Sequence, residues 1–401
     1  MKALGVYLGD VEVGLLEHFD DESEVFTFSE NYIDSLMESR PVLGQVFEDR
    51  LPKAVSVGGP ICWFDHLLPQ GSMRRWRTRL LNIDESDGFS LLAHLGENLP
   101  GAIIMRPASV LLGSDHPSLN ALPAKQISNQ FRFSLAGAQW KLSARSTARG
   151  LTTSASAEGV EYIAKFHSPE FPGLPGCEFA TMNWAKCSGI VTPDFELRSI
   201  SDFDSIPEDM PTGDGDVYLC RRFDRDSNVR IHMEDFAQIL DRPAGHEQYS
   251  GSYEEIASIL NWIAPDCIKE FLRVVTFCIV SGNGDAHLKN FSVLYRDGRT
   301  AALSPAYDLV ATIAYFAPGR EKLALKLGSS DRLESFTLHR FSSLFQRVGW
   351  DYKQGCRLVA SFAEQILSAW NTEDVSQYFS PMNRIRIEQH VNSIRNGFLA
   401  T

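Results

Sequence analysis

The chain has 401 residues, a formal net charge of −13, 44% hydrophobic and 22% charged residues. That length exceeds one ordinary core and points to two or three domains, and the composition excludes a disordered or fibrous chain. An acidic balance of this size repels polyphosphate, which disfavours nucleic-acid binding by bulk charge.

The seven cysteines are scattered, odd in number and form no Cys-x-x-Cys pair, so neither a disulfide framework nor a zinc site is expected. The opening MKALGVYLGD has no basic region followed by a long apolar run and reads as a first strand, not a secretion signal. The most apolar later stretch, Phe271 to Val280, is interrupted by Arg273 and falls short of the roughly 20 residues a membrane span requires. A cytoplasmic protein is expected.

Along the chain, alternation predicts strands at Ala3–Tyr7, Val11–Leu16 and Val25–Phe28. Helical patterns follow at Ile61–Leu68, Met73–Leu81 and Gly88–Gly96, then a strand at Ala102–Arg106. SVLLGSDHPSLNALPAKQ is the best linker and sets a boundary near residue 122, closing a first unit of residues 1–122. Strand-like runs recur at Phe131–Leu135, Trp140–Ala144, Glu161–Phe166, Phe195–Ile200 and Val217–Phe223, with one helix at Cys177–Ser188, which defines a second unit of residues 123–225. A third, residues 226–401, is predicted as helices at Met233–Leu240, Tyr253–Ile263, Cys267–Ser281, Leu333–Val348, Tyr352–Trp370 and Asn383–Leu399. The fold class expected is α+β and bilobal, with a strand-rich N-terminal lobe and an all-helical C-terminal lobe in a protein-kinase-like layout.

The sharpest motif is GNGDAHLKNFSVLY, where a helix ends at Ser281 and Gly282 and runs into Asp285, His287, Lys289 and Asn290. Phosphoryl transfer to an alcohol needs a carboxylate to orient and accept the hydroxyl proton, and oxygen ligands to hold Mg²⁺ against phosphates. Asp285 and Asn290 suit those two tasks, and AALSPAYDLV delivers Asp308, preceded by Tyr307, as a second Mg²⁺ ligand. Either aspartate alone is as well explained as a turn residue capping a strand.

The spacing Asp-x-His-x-x-Asn with a later Tyr-Asp resembles HipA-type kinases. The same order resembles the catalytic loop of phosphatidylinositol 3/4-kinases, whereas ordinary eukaryotic protein kinases place the His before the Asp. SLAGAQWKLSA resembles the family's phosphate-covering loop, with Ser134 leading into Ala136, Gly137, Ala138, Gln139 and Lys141. Small residues there let backbone N–H groups approach phosphate oxygens. Lys165 in EGVEYIAKFHS matches a lysine that contacts ATP phosphates, with Glu178 as its ion-pair partner; a surface lysine on an edge strand is the alternative. VYLCRRFDR resembles the hinge, placing Arg221, Arg222 and Phe223 along the adenine, with backbone groups reading the base and ion pairing the simpler role for Arg222 and Arg225. The first unit joins the resemblance through RPVLGQVFE, WFDHLLPQ and LLAHLGENLPGAI, so it covers nearly the whole chain. Trp140, where an acidic residue is usual, and Arg221, where Glu is common, depart from the pattern.

The resemblance implies an ATP- and Mg²⁺-dependent serine/threonine kinase acting as the toxin of a type II toxin-antitoxin pair. Asp285, His287 and Lys289 would be its catalytic residues, and Asn290 and Asp308 its metal ligands. The nucleotide site adds His287, Asn290, Tyr307 and Asp308 to the residues above, and Ser134 is the implied self-phosphorylation site. Its implied partners are a helix-turn-helix antitoxin of the HipB type, through which alone DNA is met, and a protein substrate such as an aminoacyl-tRNA synthetase, typically glutamyl-tRNA synthetase. No membrane partner is expected. Two other readings stay open, a lipid or small-molecule alcohol kinase and a non-catalytic co-repressor subunit. The basic run MRRWRTRLL, with Arg74, Arg75, Arg77 and Arg79, reads first as a solvated or inter-domain helix face.

Overall fold

The structure is a computed structural model and describes residues 1–48, 51, 55–57, 61–108, 140–147, 150–153, 160–204, 206–227, 229–316, 322–333 and 336–399. The alternating apolar residues of the N-terminus form β1 (Lys2–Leu8) and β2 (Val11–His18), joined by a two-residue turn in which Gly9 takes φ +59°. With β3 (Glu24–Phe28), β4 (Val55–Val57) and β5 (Ile103–Pro107) they make an antiparallel sheet ordered β4-β3-β2-β1-β5. Its apolar face, including Leu4, Leu16 and Phe26, buries against Phe47 of α2 (Gln45–Glu48), which follows α1 (Glu30–Ile33), and against Trp63 and Phe64 of α3 (Cys62–Asp65). The helix predicted over Ile61–Leu68 is thus held to four residues.

The helix α5 (Gly88–Leu95) packs Phe89, Leu91, Leu92 and Leu95 into this core, whereas the helix before it, α4 (Gly71–Leu81), leaves it. Its Met73 and Trp76 pack into the second core, beside Leu142, Ala144, Ala164 and Phe166. The basic run is therefore an inter-domain helix, with Arg74 paired to Asp65 at 3.3 Å. That second core lies under an antiparallel sheet ordered β7-β6-β8-β10-β9, built from β6 (Lys141–Thr147), β7 (Gly150–Thr152), β8 (Val160–Lys165), β9 (Phe195–Ser199) and β10 (Asp216–Arg221). Trp140 stands edge-on to Trp76, ring centroids 5.8 Å apart, so an indole at this unusual position joins the two units by apolar contact. Between β8 and β9 runs α6 (Leu174–Cys187), whose Ala180, Trp184 and Ala185 belong to the third and largest core.

The large lobe contains α7 (Phe236–Ile239), α8 (Tyr253–Ile263), α9 (Ile268–Ser281), α10 (Ser342–Arg347), α11 (Tyr352–Trp370), α12 (Glu373–Ser376) and α13 (Pro381–Leu399). It is not all-helical. After the short pair β11 (Arg225–Asp226) and β12 (Val229–Arg230), a three-stranded sheet forms from β13 (His232–Asp235), β14 (Ser292–Tyr295) and β15 (Ala301–Leu303), followed by the hairpin β16 (Lys322–Leu327) and β17 (Ser330–Arg332). Met233 to Asp235, predicted as helix, pair with β14 instead, and the helix begins only after Asp235, whose carboxylate accepts from Gln238 N at 2.9 Å while Gln238 Oε1 accepts from Asp235 N at 3.0 Å. The helix predicted over Leu333–Val348 shrinks to a 3-10 turn at Leu338–Phe341 followed by α10, because Thr337 is extended. No helix among the described residues is long and apolar enough to cross a membrane.

The three-stranded sheet of the large lobe sets the site. In the antiparallel β14–β15 pair the start of one strand lies beside the end of the other, with Ser304 N donating to Ser292 O at 2.9 Å. Asn290, just before β14, and Asp308, just after β15, therefore leave the sheet at one end. The third strand, β13, carries Glu234 into the boundary with the first unit, where its buried carboxylate accepts from Trp63 Nε1 (2.9 Å), Tyr295 OH (2.6 Å) and Gln45 N (3.1 Å). A neutral amide there sets an N–H group against these donors. Glu234→Gln is expected to lower stability by about 2 kcal/mol, read as a fall in the urea unfolding midpoint; an unchanged midpoint would show that the boundary does not need the carboxylate.

Candidate active site

A cleft of about 560 Å³ lies between the small sheet's strands β6, β8 and β10 and the loops of the large lobe, with His66, Leu67 and Gln70 of the first unit in its wall. It collects Lys141, Lys165, Arg221, Arg222, Phe223, Asp285, His287, Lys289, Asn290, Tyr307 and Asp308. Ser134, Ala136, Gly137, Ala138 and Gln139 lie outside the described residues.

The motif loop is built by stopping α9 abruptly. Gly282 takes φ +69°, and a Cβ there would stand 2.7 Å from Ile313, so both conformation and space require glycine. Asn283 Oδ1 then accepts from Asp285 N at 2.9 Å, and Gly284 N donates to Thr312 Oγ1 at 2.7 Å, pinning the turn. The Asp285 side chain is 67% exposed, but that exposure is to the cleft. Burial within the cleft walls, then the charge of Asp308, push its carboxyl up to about 6 against the pull of Lys165. His287 packs tilted against Tyr249, ring centroids 4.7 Å apart, and is held neutral, its pKa pushed down to about 4 by burial and by Lys289. Lys289 turns its ammonium out of the loop, to Asp235 Oδ2 at 2.6 Å and to His66 Nδ1 and O at 3.3 Å each. Asn290 Oδ1 is buried with no hydrogen-bond donor among the described residues.

Opposite, β6 and β8 pair Lys141 with Lys165. Lys165 is 2% exposed and donates to Glu178 of α6 and to Asp308 Oδ1, the latter at 2.6 Å. Burial alone would neutralise this lysine, but the two carboxylates outweigh it and raise its pKa. Burial opposes the ionised Asp308 in turn, and Lys165 and Lys141 outweigh that, holding its carboxyl below the usual range. Asp308 is held at φ +55°, an uncommon conformation for a residue with a side chain. Lys141 is buried, and that burial, with Lys165 adding to it, brings its pKa down to about 8 despite Asp308.

At the far wall, Arg222 makes a two-pronged contact with Asp224 (2.9 and 2.7 Å), and Arg225 joins the same carboxylate at 2.9 Å, so these side chains serve an ion cluster. Arg221 points to Asp194 at 3.1 Å. Phe223 meets Tyr307, centroids 5.3 Å apart, and the Tyr307 hydroxyl donates to Lys289 O at 2.8 Å. Sequence reasoning missed His66, Asp235 and Tyr249. WFDHLLPQ signalled a packed segment, but no spacing tells that residue 66 meets residue 289.

These features form a cleft between two lobes, lined by lysines, aspartates and an amide oxygen. A family model described as HipA-like C-terminal domain matches residues 133–370, and the HipA N-terminal domain matches residues 4–106. Y4dM of Sinorhizobium fredii, a protein designated a kinase by name, is 31% identical over 388 residues, covering 93% of this chain and 92% of its own length. The serine/threonine-protein kinase toxin HipA of Shewanella oneidensis is 23% identical over 352 residues, covering 78% of this chain and 76% of that protein. The solved complex of the Shewanella oneidensis MR-1 toxin-antitoxin system HipA, HipB and its operator DNA has a chain that superposes with a TM-score of 0.72 at 18% identity, covering 98% of this chain and 97% of that one. The chain belongs to the HipA family of kinase-like proteins.

Titration of Asp285 in the ligand-free protein by carboxyl ¹³C NMR should give a midpoint near 6. In Asp308→Asn the midpoint should move to lower pH, because a like charge is removed and Lys165 is released to favour the ionised form. A parent midpoint near 4 would show that the cleft does not perturb this carboxylate.

Proposed function

We propose that this chain is an ATP-dependent serine/threonine protein kinase and the toxin of a type II toxin-antitoxin pair. One observation carries the reading: Asp285, Asn290 and Asp308, from two loops, face one cleft together with Lys165, which Glu178 pairs from behind. The acceptor hydroxyl gives its proton to Asp285 as its oxygen bonds to the γ-phosphorus and the β–γ bridge breaks to release ADP. A carboxyl poised near 6 is ionised at neutral pH, yet basic enough to take that proton. Asn290 Oδ1, lacking a donor, and Asp308 together suit a hard cation, which takes oxygen ligands and retains room for phosphate. Asn290 and Asp308 would hold Mg²⁺, which would supply neutralisation of the charge on the phosphates. Lys165 and Lys141 supply fixed positive charge at the same place, and the Arg221–Phe223 backbone with Tyr307 forms the wall for the base. Lys289 and His287 stiffen the loop by their own contacts.

The resemblance of SLAGAQWKLSA to a phosphate-covering loop supports Ser134 as a self-phosphorylation site and Ala136 to Gln139 as phosphate contacts. Likeness to HipA, whose solved complex contains HipB and operator DNA, supports a HipB-like antitoxin partner, with DNA met through it. The family resemblance supports a cytoplasmic aminoacyl-tRNA synthetase, glutamyl-tRNA synthetase first, as the substrate class.

Purified protein with labelled ATP and Mg²⁺ should transfer label to itself and to a protein in cell extract. Asp285→Asn should slow both by about a thousandfold, within the range for losing a general base. Ser134→Ala should remove the self-phosphorylated peptide but leave transfer to the extract protein. A parent that transfers nothing, or that labels only lipid, sinks the reading.

A further inference from the structure

Lys289 sits between Asp285 and Asn290, yet its ammonium is engaged wholly outside their loop. Its three N–H groups have three acceptors: Asp235 Oδ2 at 2.6 Å, His66 Nδ1 at 3.3 Å and His66 O at 3.3 Å. Two of the three thus come from one residue of the first unit. Because Nδ1 faces a lysine donor, the His66 proton lies on Nε2, which donates to Arg242 O at 2.7 Å. Asp235 precedes α7 and Arg242 follows it, so the imidazole links the far end of that helix to the lysine, and the lysine links on to its start. His66 is 1% exposed, and burial, with the charge of Lys289 adding to it, lowers its pKa and keeps the ring neutral. The neighbouring Trp63 O accepts from Gln238 Nε2 at 3.1 Å, which fastens the same segment to the turn that holds Asp235.

We propose that His66 is a positioning residue for phosphoryl transfer, anchoring Lys289 and, through the 3-10 turn Leu288–Asn290, aiming the Asn290 amide oxygen that lacks a donor. The inference rests on the kinase reading above. Without the imidazole, a buried ammonium loses an acceptor and the lysine must shift toward Asp235, carrying its chain neighbour Asn290 with it. Groups that orient a ligand from behind change metal affinity by about 10- to 100-fold when removed.

The full chain is compared as parent, His66→Ala and His66→Asn, whose amide oxygen can still accept from Lys289. In His66→Ala, kcat should fall about tenfold and the Mg²⁺ concentration for half-maximal rate should rise about tenfold. By calorimetry, ATP affinity in EDTA should match the parent, while the affinity gained on adding Mg²⁺ should shrink. His66→Asn should restore most of both. An active parent with an unaltered His66→Ala overturns this inference alone. Loss of ATP affinity in EDTA with a lower unfolding temperature, unrelieved by His66→Asn, assigns His66 to general packing and also overturns it. A parent without phosphoryl transfer overturns the kinase reading and this inference together.

Discussion

One buried ammonium organises this molecule. Lys165, on the small sheet, is shared between Glu178 of α6 and Asp308 of the large lobe, and each of the three belongs to a different segment of the chain. A buried charge stripped of its partner costs about 3–5 kcal/mol, so none of the three can leave without penalty. Their meeting sets the distance between sheet and loops and so the width of the cleft. Lys141, beside Lys165 in register, adds a second ammonium, so two lysines face the two carboxylates Glu178 and Asp308 on the cleft floor.

Around that pair the backbone adopts conformations its residues do not prefer. Asp308 sits at φ +55°, and Gly282 turns α9 into the loop where a larger residue would strike Ile313. Such positions persist only where surrounding contacts determine them, here the β14–β15 pairing, the Lys165 contact and the bonds from Asn283 and Thr312. The same contacts place Asp308 near enough to Asp285 for its charge to help raise the Asp285 pKa.

The first unit is part of this architecture. Trp76 packs into the small-sheet core, Trp63 donates to the buried Glu234, and His66 accepts from Lys289. Its sheet has a separate core, but the segment between α3 and α4 forms a wall of the cleft. Changes in that unit therefore reach the loops without touching them through solvent.

Much of the site was legible in the sequence. Asp285, Asn290 and Asp308 stood out because phosphoryl transfer needs those groups in short, turn-forming contexts, and Lys165 because a lone charge in an apolar strand demands a partner. The strands β1, β2, β3, β5, β6, β8, β9 and β10 and the helices α8, α9, α11 and α13 followed from periodicity, whereas β4 and β7 did not, and the strand expected at Phe131–Leu135 lies outside the described residues. What periodicity missed was settled by distant pairing: Met233 to Asp235 look helical and become a strand only because Ser292–Tyr295 lie alongside, and β16 and β17 pair with each other where no local signal required it. The buried partners of Lys289 were likewise invisible. The sequence alone determined which chemistry this chain carries, because residue type and short spacing are local properties. Tertiary structure alone decided which of those charges face the cleft and which are bound elsewhere, because an ion pair is chosen by proximity in space across more than a hundred residues of chain.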